Sequence, residues 1–466
     1  MSECTTANPL GNAPVGKLLR RFAVPSIIAM LVGSLYNIVD QFFIGQSVGP
    51  LGNAATNISF PLSISCVAIA LLFGIGGASA FNISMGMSEK DPGEREKAGY
   101  YMGNALVMLV VTGVILCFIT ELFLDPLLRF FGSPDNVLEL AKTYTRIVAF
   151  GFPFLILSTG GGHLIRADGR PRQTMICNLS GAVLNTFLDA LFVFGFGWGI
   201  AGAAAATIIG QVFSAVLAVL YLSHCKTIKI QKKHLRLKGS YIVRVTSLGA
   251  TPCTNQLAMM IVQIVMNKSL KYYGAQSAYG EAIPIACAGI ITKVNQVFLS
   301  FIIGISQGLQ PIASFNFGAG HYGRVKEAFR KAATIGFLLA FGAFLLFQFA
   351  PRQITSIFGD GTQEYYEFAI SYFRIFLFFT FLNFLQPITS NFFTAIGQPR
   401  NGIFLSLTRQ IIFLLPLLLL LPLIMGIDGI MYAGPVADLM AGVAAIVMLA
   451  RELRKKQYNT TEITHQ

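Results

Sequence analysis

The chain has 466 residues, 54% of them hydrophobic and 12% charged, with a formal net charge of +13 and a mean hydropathy of +0.64. That charge fraction is about half the soluble average, which excludes a water-soluble globular protein and defines a polytopic membrane protein. Lipid offers no partner to backbone polar groups, and the apolar runs reach about 20 residues without alternating, so the spans are helices rather than barrel strands.

The first residues are polar through Gly16, and KLLRRF then enters an apolar run too long for a signal-peptide core. Twelve spans are predicted, at 22–46, 54–84, 99–122, 138–161, 173–196, 200–222, 242–270, 282–311, 328–350, 365–391, 402–425 and 429–450. The segments KLLRR, SEKDPGEREK, RADGRPR, the 223–241 linker, GRVKEAFRK and RELRKK alternate with short, nearly uncharged loops such as QSVGPLGN and GFGWG. Under the positive-inside rule the basic set is cytoplasmic, both termini included, in the plasma membrane (the inner membrane of a bacterium). The positive charge is thus topogenic, and no nucleic-acid partner is expected. Seven scattered cysteines without CxxC or Cys/His spacing predict neither a disulfide frame nor a zinc site.

The halves repeat. Pro25 corresponds to Pro252, Phe131-Gly132 to Phe358-Gly359, and ADGRPR (167–172) to AIGQPR (395–400), at an offset of about 227 residues. Six spans per copy is an even number, so both copies enter from the same side as parallel repeats. The expected organisation is an amino-terminal lobe 1–222, a basic cytoplasmic linker 223–241 and a carboxy-terminal lobe 242–466. Two matched six-helix bundles suit transport, because a cavity between them can open to either side when they rock.

Ionisable groups inside spans are costly, roughly 2.5 to 3.5 kcal/mol for a central aspartate, and mark function. Span 1 carries Tyr36 and Asp40, and span 5 carries Asn185 and Asp189; each pair is four residues apart and shares a helix face. Span 6 adds Thr207 among alanines and glycines. At 1.5 Å per residue, Asp40 and Asp189 both lie about 25 Å up their outward-running helices, and Thr207 about 12 Å down its inward-running one. All three fall at similar depth in the outer half. Two carboxylates, an amide and a hydroxyl form a hard-oxygen cluster able to hold Na⁺, or a proton shared because neighbouring carboxylates do not both ionise cheaply.

The second half does not copy this cluster: Asp40 corresponds to Asn267 and Asp189 to Pro416. It offers Glu281 near the outer rim and Lys293 deeper on span 8. Arg146 and His163 on span 4 are further polar groups in the first half. Phe60 and Tyr36 are candidates for apolar and cation–π surface toward flat cationic compounds.

The stretches GLQPIASFNFGAGHYGRVKEAFRKA (308–332), IRADGRPRQTM (165–175) and LNTFLDALFVFGFGWGIAGAAAATIIGQ (184–211) resemble motifs of the multidrug and toxic compound extrusion (MATE) transporters. The resemblance runs from about residue 15 to 450. It implies an all-α fold of twelve transmembrane helices in two pseudo-symmetric six-helix bundles, V-shaped around a central cavity. It also implies a secondary active antiporter that exports organic, often cationic, drugs in exchange for H⁺ or Na⁺. The family's first-lobe coupling site carries over to Asp40, Asn185, Asp189 and Thr207, with Tyr36 beside them. Ala190 stands where many relatives have proline. Spans 7 and 10 lack the carboxylates of some branches, offering Asn255, Gln256 and an outer Glu367 instead. The expected partners are a small organic substrate and membrane lipid, with no cofactor beyond the coupling ion and a monomer as the working unit. A lipid-precursor flippase of the same superfamily is the alternative, and would need a more basic cavity. A membrane-embedded enzyme would need HxxxD, a metal spacing or a Ser/His pair, none of which occurs.

Overall fold

Twelve long helices follow one another with short connections in a computed structural model that describes residues 8–133, 135–280, 282–357, 362–455 and 458. They are α1 (Val15–Val48), α2 (Pro50–Met87), α3 (Gly93–Leu122), α4 (Asp135–Ala167), α5 (Pro171–Asp189) and α6 (Gly199–Leu222) in the first half. The second half has α7 (Gly239–Ala275), α8 (Ala282–Ala319), α9 (Tyr322–Phe349), a broken α10 (Gln363–Phe376 and Leu385–Ala395), α11 (Pro399–Leu407, resumed at Leu415–Met425) and α12 (Ile427–Leu453). Among the described residues, eleven helical segments are long and apolar enough to cross a membrane. The exception, α7, is as long but carries Asn255, Gln256, Gln263, Asn267 and Lys268 along its length. Phe358-Gly359, half of one repeat correspondence, lies outside the described residues.

The two bundles follow the two halves. In the first, α2 packs on α3 and α4, α4 on α6, and α1 on α5. In the second, α7 packs on α11, α8 on α9 and α10, and α12 on α11. Between apolar helices in lipid there is no hydrophobic drive to associate, so close packing of small residues has to supply the contact. It does so along the seam between bundles, where α1 lies on α8 and α2 on α7 and α8. A Cβ on Gly76 would stand 2.0 Å from the Val245 carbonyl oxygen, and one on Gly249 would stand 1.7 Å from that of Leu72. Only glycine permits the α2–α7 approach.

The seam runs from the end of the molecule that carries the basic segments to about the middle of α1 and α8. Gln310 of α8 donates to Ser79 Oγ of α2 at 2.9 Å. Arg166 at the end of α4 donates to Gln307 Oε1 of α8 at 2.8 Å. Its guanidinium is buried, and its Nη1 lies 3.3 Å from His163 Nδ1. Among the described residues no hydrogen bond between the bundles lies further toward the opposite end than that of Ser34 and Ser300, at 2.8 Å.

Two segments tie the basic end together. Residues 8–14 precede α1, yet they dock on the second bundle. Asn316 Nδ2 donates to the Leu10 carbonyl at 2.9 Å, and Arg324 Nη2 to those of Ala13 at 2.6 Å and Leu10 at 3.2 Å. The linker 223–238 folds onto the first bundle. Asp168 accepts from the backbone of Lys226 and Thr227 at 3.1 and 3.0 Å, and from the Tyr221 hydroxyl at 2.8 Å. Asn104 binds the Lys238 amide and the His234 and Arg236 carbonyls. Lys238 Nζ lies 3.9 Å from the centre of the Tyr100 ring. The basic linker is therefore a fitted clasp as well as a charged surface.

Candidate functional site

The packing of α1 on α5, and of both on α6, brings Tyr36, Asp40, Asn185, Asp189 and Thr207 to one place in the first bundle. Apolar helices expose Asp, Asn and Thr to one another only if those residues share the inward face, and the four-residue spacing on α1 and α5 provides that. Asp189 is 0% exposed, Asn185 2% and Thr207 6%. The Thr207 hydroxyl is the hub: it lies 3.4 Å from the Tyr36 hydroxyl and 3.4 Å from Asn185 Nδ2, both donating to it. Asp40 and Asp189 lie close enough to interact electrostatically.

The carboxylates have no such donors. Among the described residues, Asp40 Oδ1, both oxygens of Asp189 and Asn185 Oδ1 are buried without a hydrogen-bond partner. A buried acceptor without a donor costs about 1 to 3 kcal/mol, and more when it is charged. Four such acceptors in one pocket make a site short of positive charge or protons. A proton on a carboxylate would supply one donor; a bare monovalent cation would satisfy several oxygens at once. The oxygen-only donor set fits a hard cation, and no cluster of three or more His, Cys, Asp or Glu occurs among the described residues to suggest a transition metal.

Two features here escaped sequence reasoning. Tyr144 of α4 is buried within electrostatic reach of Asp40, Tyr36 and Asp189. The α-helix of α5 also ends at Asp189 itself, and Ala190–Gly195 continues as a π-helix. Such wide turns are rare and concentrate at functional sites. Ala190 opens this one without a proline.

The second-half candidates do not gather in this way. Lys293 is half-buried on α8 and makes no hydrogen bond or ion pair among the described residues. Phe60 of α2 is 52% exposed. Glu281 lies outside the described residues. Arg146 reaches Glu121 at 3.7 Å in a partly exposed pair. The second bundle does bury an acid that the repeat comparison passed over: Asp438 of α12, with Arg409 Nε at 2.6 Å. Arg409 lies in a π-helical stretch, Thr408–Leu414, that interrupts α11. Both charges stand in the sequence within neighbouring spans, and that adjacency was the available signal. Here the countercharge is built in, whereas the first-bundle acids have none.

Twelve helices in two repeated bundles, joined at one end around a small-residue seam, with uncompensated acids inside one bundle, define a multi-pass membrane transporter. The model of the MatE family matches residues 25–191 and again 253–420, once in each half. The chain belongs to the MatE family. It is similar to the multidrug export protein MepA of Staphylococcus aureus (strain MSSA476), with 22% identity over 453 residues and 97% of each chain covered. It is also similar to an FAD transporter of Shewanella oneidensis, 24% identical over 461 residues, with 94% of this chain and 95% of that one covered. Among solved structures, an outward-facing multidrug resistance MATE family transporter of the MOP superfamily superposes with a TM-score of 0.88 at 21% identity, covering 97% of this chain and all of that one. A MOP superfamily transporter from Pyrococcus furiosus superposes at 0.87 with 21% identity, covering 97% and 99%.

Proposed function

We propose that the protein is a secondary active antiporter of the plasma membrane that exports organic, often cationic, compounds in exchange for H⁺ or Na⁺. The observation that carries this reading is the set of buried, partnerless oxygens on Asp40, Asn185 and Asp189. The basic end is cytoplasmic by the positive-inside rule, so the seam closes the cytoplasmic side and the state described is outward-facing. Residues 1–222 and 242–466 move as two bodies, with the 223–241 linker travelling with the first.

In the outward-facing state Asp40 and Asp189 take up the incoming ion. A proton converts one carboxyl into a donor toward its neighbour; Na⁺ would be held by Asp40, Asn185, Asp189 and Thr207. Either event removes uncompensated charge and draws α1 toward α5 and α6, with Tyr36 following through Thr207. The π-turn after Asp189 gives α5 a place to yield. Substrate affinity falls, the compound leaves outward, and the bundles rock to release the ion inside. A difference of about 1 to 3 kcal/mol in affinity between the two states is enough for such coupling. Phe60, Lys293 and Glu281 remain candidates for the cavity wall. The described part of the second bundle pairs its buried acids with built-in countercharges, Asp438 with Arg409 and Glu452 with Lys455, which favours a single coupling site, in the first bundle.

Everted vesicles test the reading. Uptake of a fluorescent cationic drug is expected under an imposed ΔpH or ΔNa⁺, and which gradient drives it identifies the ion. Uptake unaffected by either gradient, or driven equally well in D40N/D189N, would refute antiport at this site.

A further inference from the structure

At the basic end, one side of the seam is not covered by protein. A groove of about 580 Å³ runs between α1 and α9 with α8 beneath it. Its walls are apolar: Leu19, Val24 and Ile27 from α1, Ile305 from α8 and Ile335 from α9. Val24 and Ile335 are exposed. Its rim is charged, with Arg20 on one side and Arg330, Lys331 and Glu327 on the other. Glu327, the one acid on the rim, is held by Lys331 at 2.6 Å. Arg20 and Arg330 have no ion-pair partner among the described residues. A second, smaller groove of about 410 Å³ lies on the far flank of α9, lined by Phe329, Ala333, Phe337 and Leu453. The two grooves share Arg330 and Thr334, one helical turn apart, so they are divided by a ridge one side chain wide.

We propose that this pair of grooves is a site for an anionic glycerophospholipid of the leaflet at the basic end. The phosphate is held by Arg20 and Arg330, and one acyl chain lies on each side of the Arg330–Thr334 ridge. The chemistry of the lining sets the occupant. An apolar trough that faces hydrocarbon is filled by an acyl chain, and basic pockets between transmembrane helices on the cytoplasmic side favour anionic head groups. From Arg20 to Ile27 is seven residues, about 10 Å along the helix, a depth that takes the upper half of a chain. The main groove has one wall in the first bundle and the other in the second. Its lipid therefore bridges the seam, favours the state in which the bundles are joined at this end, and must leave or shift when they part.

The test is lipid retention by the full-length purified protein, measured by native mass spectrometry with added phosphatidylglycerol or phosphatidylcholine. Each basic residue near a membrane surface contributes about 1 kcal/mol toward an anionic lipid, so R20Q/R330Q should weaken phosphatidylglycerol binding roughly thirtyfold. V24W, which fills the trough and leaves every charge in place, should also displace it. K229Q/K232Q, a loss of two exposed charges on the linker, should not. Equal retention of both lipids would overturn the proposal. So would wild-type retention in R20Q/R330Q, an equal loss in the linker variant, normal binding in V24W, or displacement by millimolar inorganic phosphate, which would mark a headgroup-only anion site.

Discussion

Replacing Gly249 with alanine should unlock the seam. A Cβ there would stand 1.7 Å from the Leu72 carbonyl oxygen, whereas ordinary contact begins at 3.4 Å. The obstacle is backbone on a packed helix, not the tip of a flexible side chain, so α2 and α7 must part by about the difference, 1.7 Å. Overpacking of this kind costs about 1 to 3 kcal/mol. A cost of about 2 kcal/mol, borne only while the seam is closed, moves a two-state equilibrium roughly thirtyfold toward the open arrangement. The reporter is Ser79→Cys in an otherwise cysteine-free chain. Ser79 is fully buried in the seam against Gln310. Its thiol reacts with a water-soluble maleimide only when the bundles separate at this end. G249A should raise the alkylation rate by a factor approaching thirty. G342A is the control, since nothing lies within 4 Å of a Cβ at Gly342. If both variants express normally and label at the wild-type rate, the glycine contact does not hold the seam shut.

If Asp40 and Asp189 couple transport as proposed, D189N and D40N should each lower drug efflux at least tenfold with expression unchanged, because an amide keeps the shape and takes up no proton or cation charge; wild-type resistance in cells would count against both. R409M should destabilise the purified protein by about 3 to 5 kcal/mol, since it strands a buried Asp438, while R409M/D438L should recover most of that loss; chemical unfolding of the two variants side by side decides. R324A removes two hydrogen bonds from a charged donor to residues 10 and 13, and hydrogen exchange in that segment should quicken at least tenfold; unchanged exchange would mean that the amino-terminal docking is held by other contacts. The linker clasp should loosen in acid. His234 Nδ1 accepts from the Gln231 amide at 3.2 Å, and burial, with Lys233 nearby, holds the imidazole below its ordinary value. The neutral ring is thus favoured in the docked state, so its contribution is complete above about pH 6.5 and fades as pH falls through the lowered value. Tryptic cleavage after Lys232 or Lys233, normalised to an unfolded peptide of the same sequence digested at the same pH, should rise between pH 7.5 and pH 5.5, and H234Q should flatten that dependence.

The spans were legible because a run of about 20 apolar residues has few other fates in a chain this poor in charge. Their ends were not. GRVKEAFRK reads as a basic loop, yet α9 begins at Tyr322 and continues through it. Lys, Glu and Arg are good helix formers, and Glu327 and Lys331 add a pair one turn apart, so the helix simply extends out of the hydrocarbon. The acid cluster was legible for the opposite reason: Asp40 and Asp189 are conspicuous in apolar surroundings, and their depth could be counted. Tyr144 was not, because a tyrosine in a span is ordinary until its neighbours are known. Asp438 and Arg409 were in plain view, but a search for copies at the repeat offset looks past a pair that has no counterpart in the other half. The seam was hidden more thoroughly. Gly76 and Gly249 are two glycines among 46, and nothing local separates those that let helices touch from those that bend or cap them.

The docking of residues 8–14 on the opposite bundle bears on how the protein is handled. Anything fused upstream, whether a purification handle, a fluorescent reporter or a surface tether, pulls on a segment that is anchored to the second bundle just before the chain enters the first, and so loads the contact between the two. Placed beyond the last helix instead, the same cargo would hang from a single bundle and leave that contact unloaded.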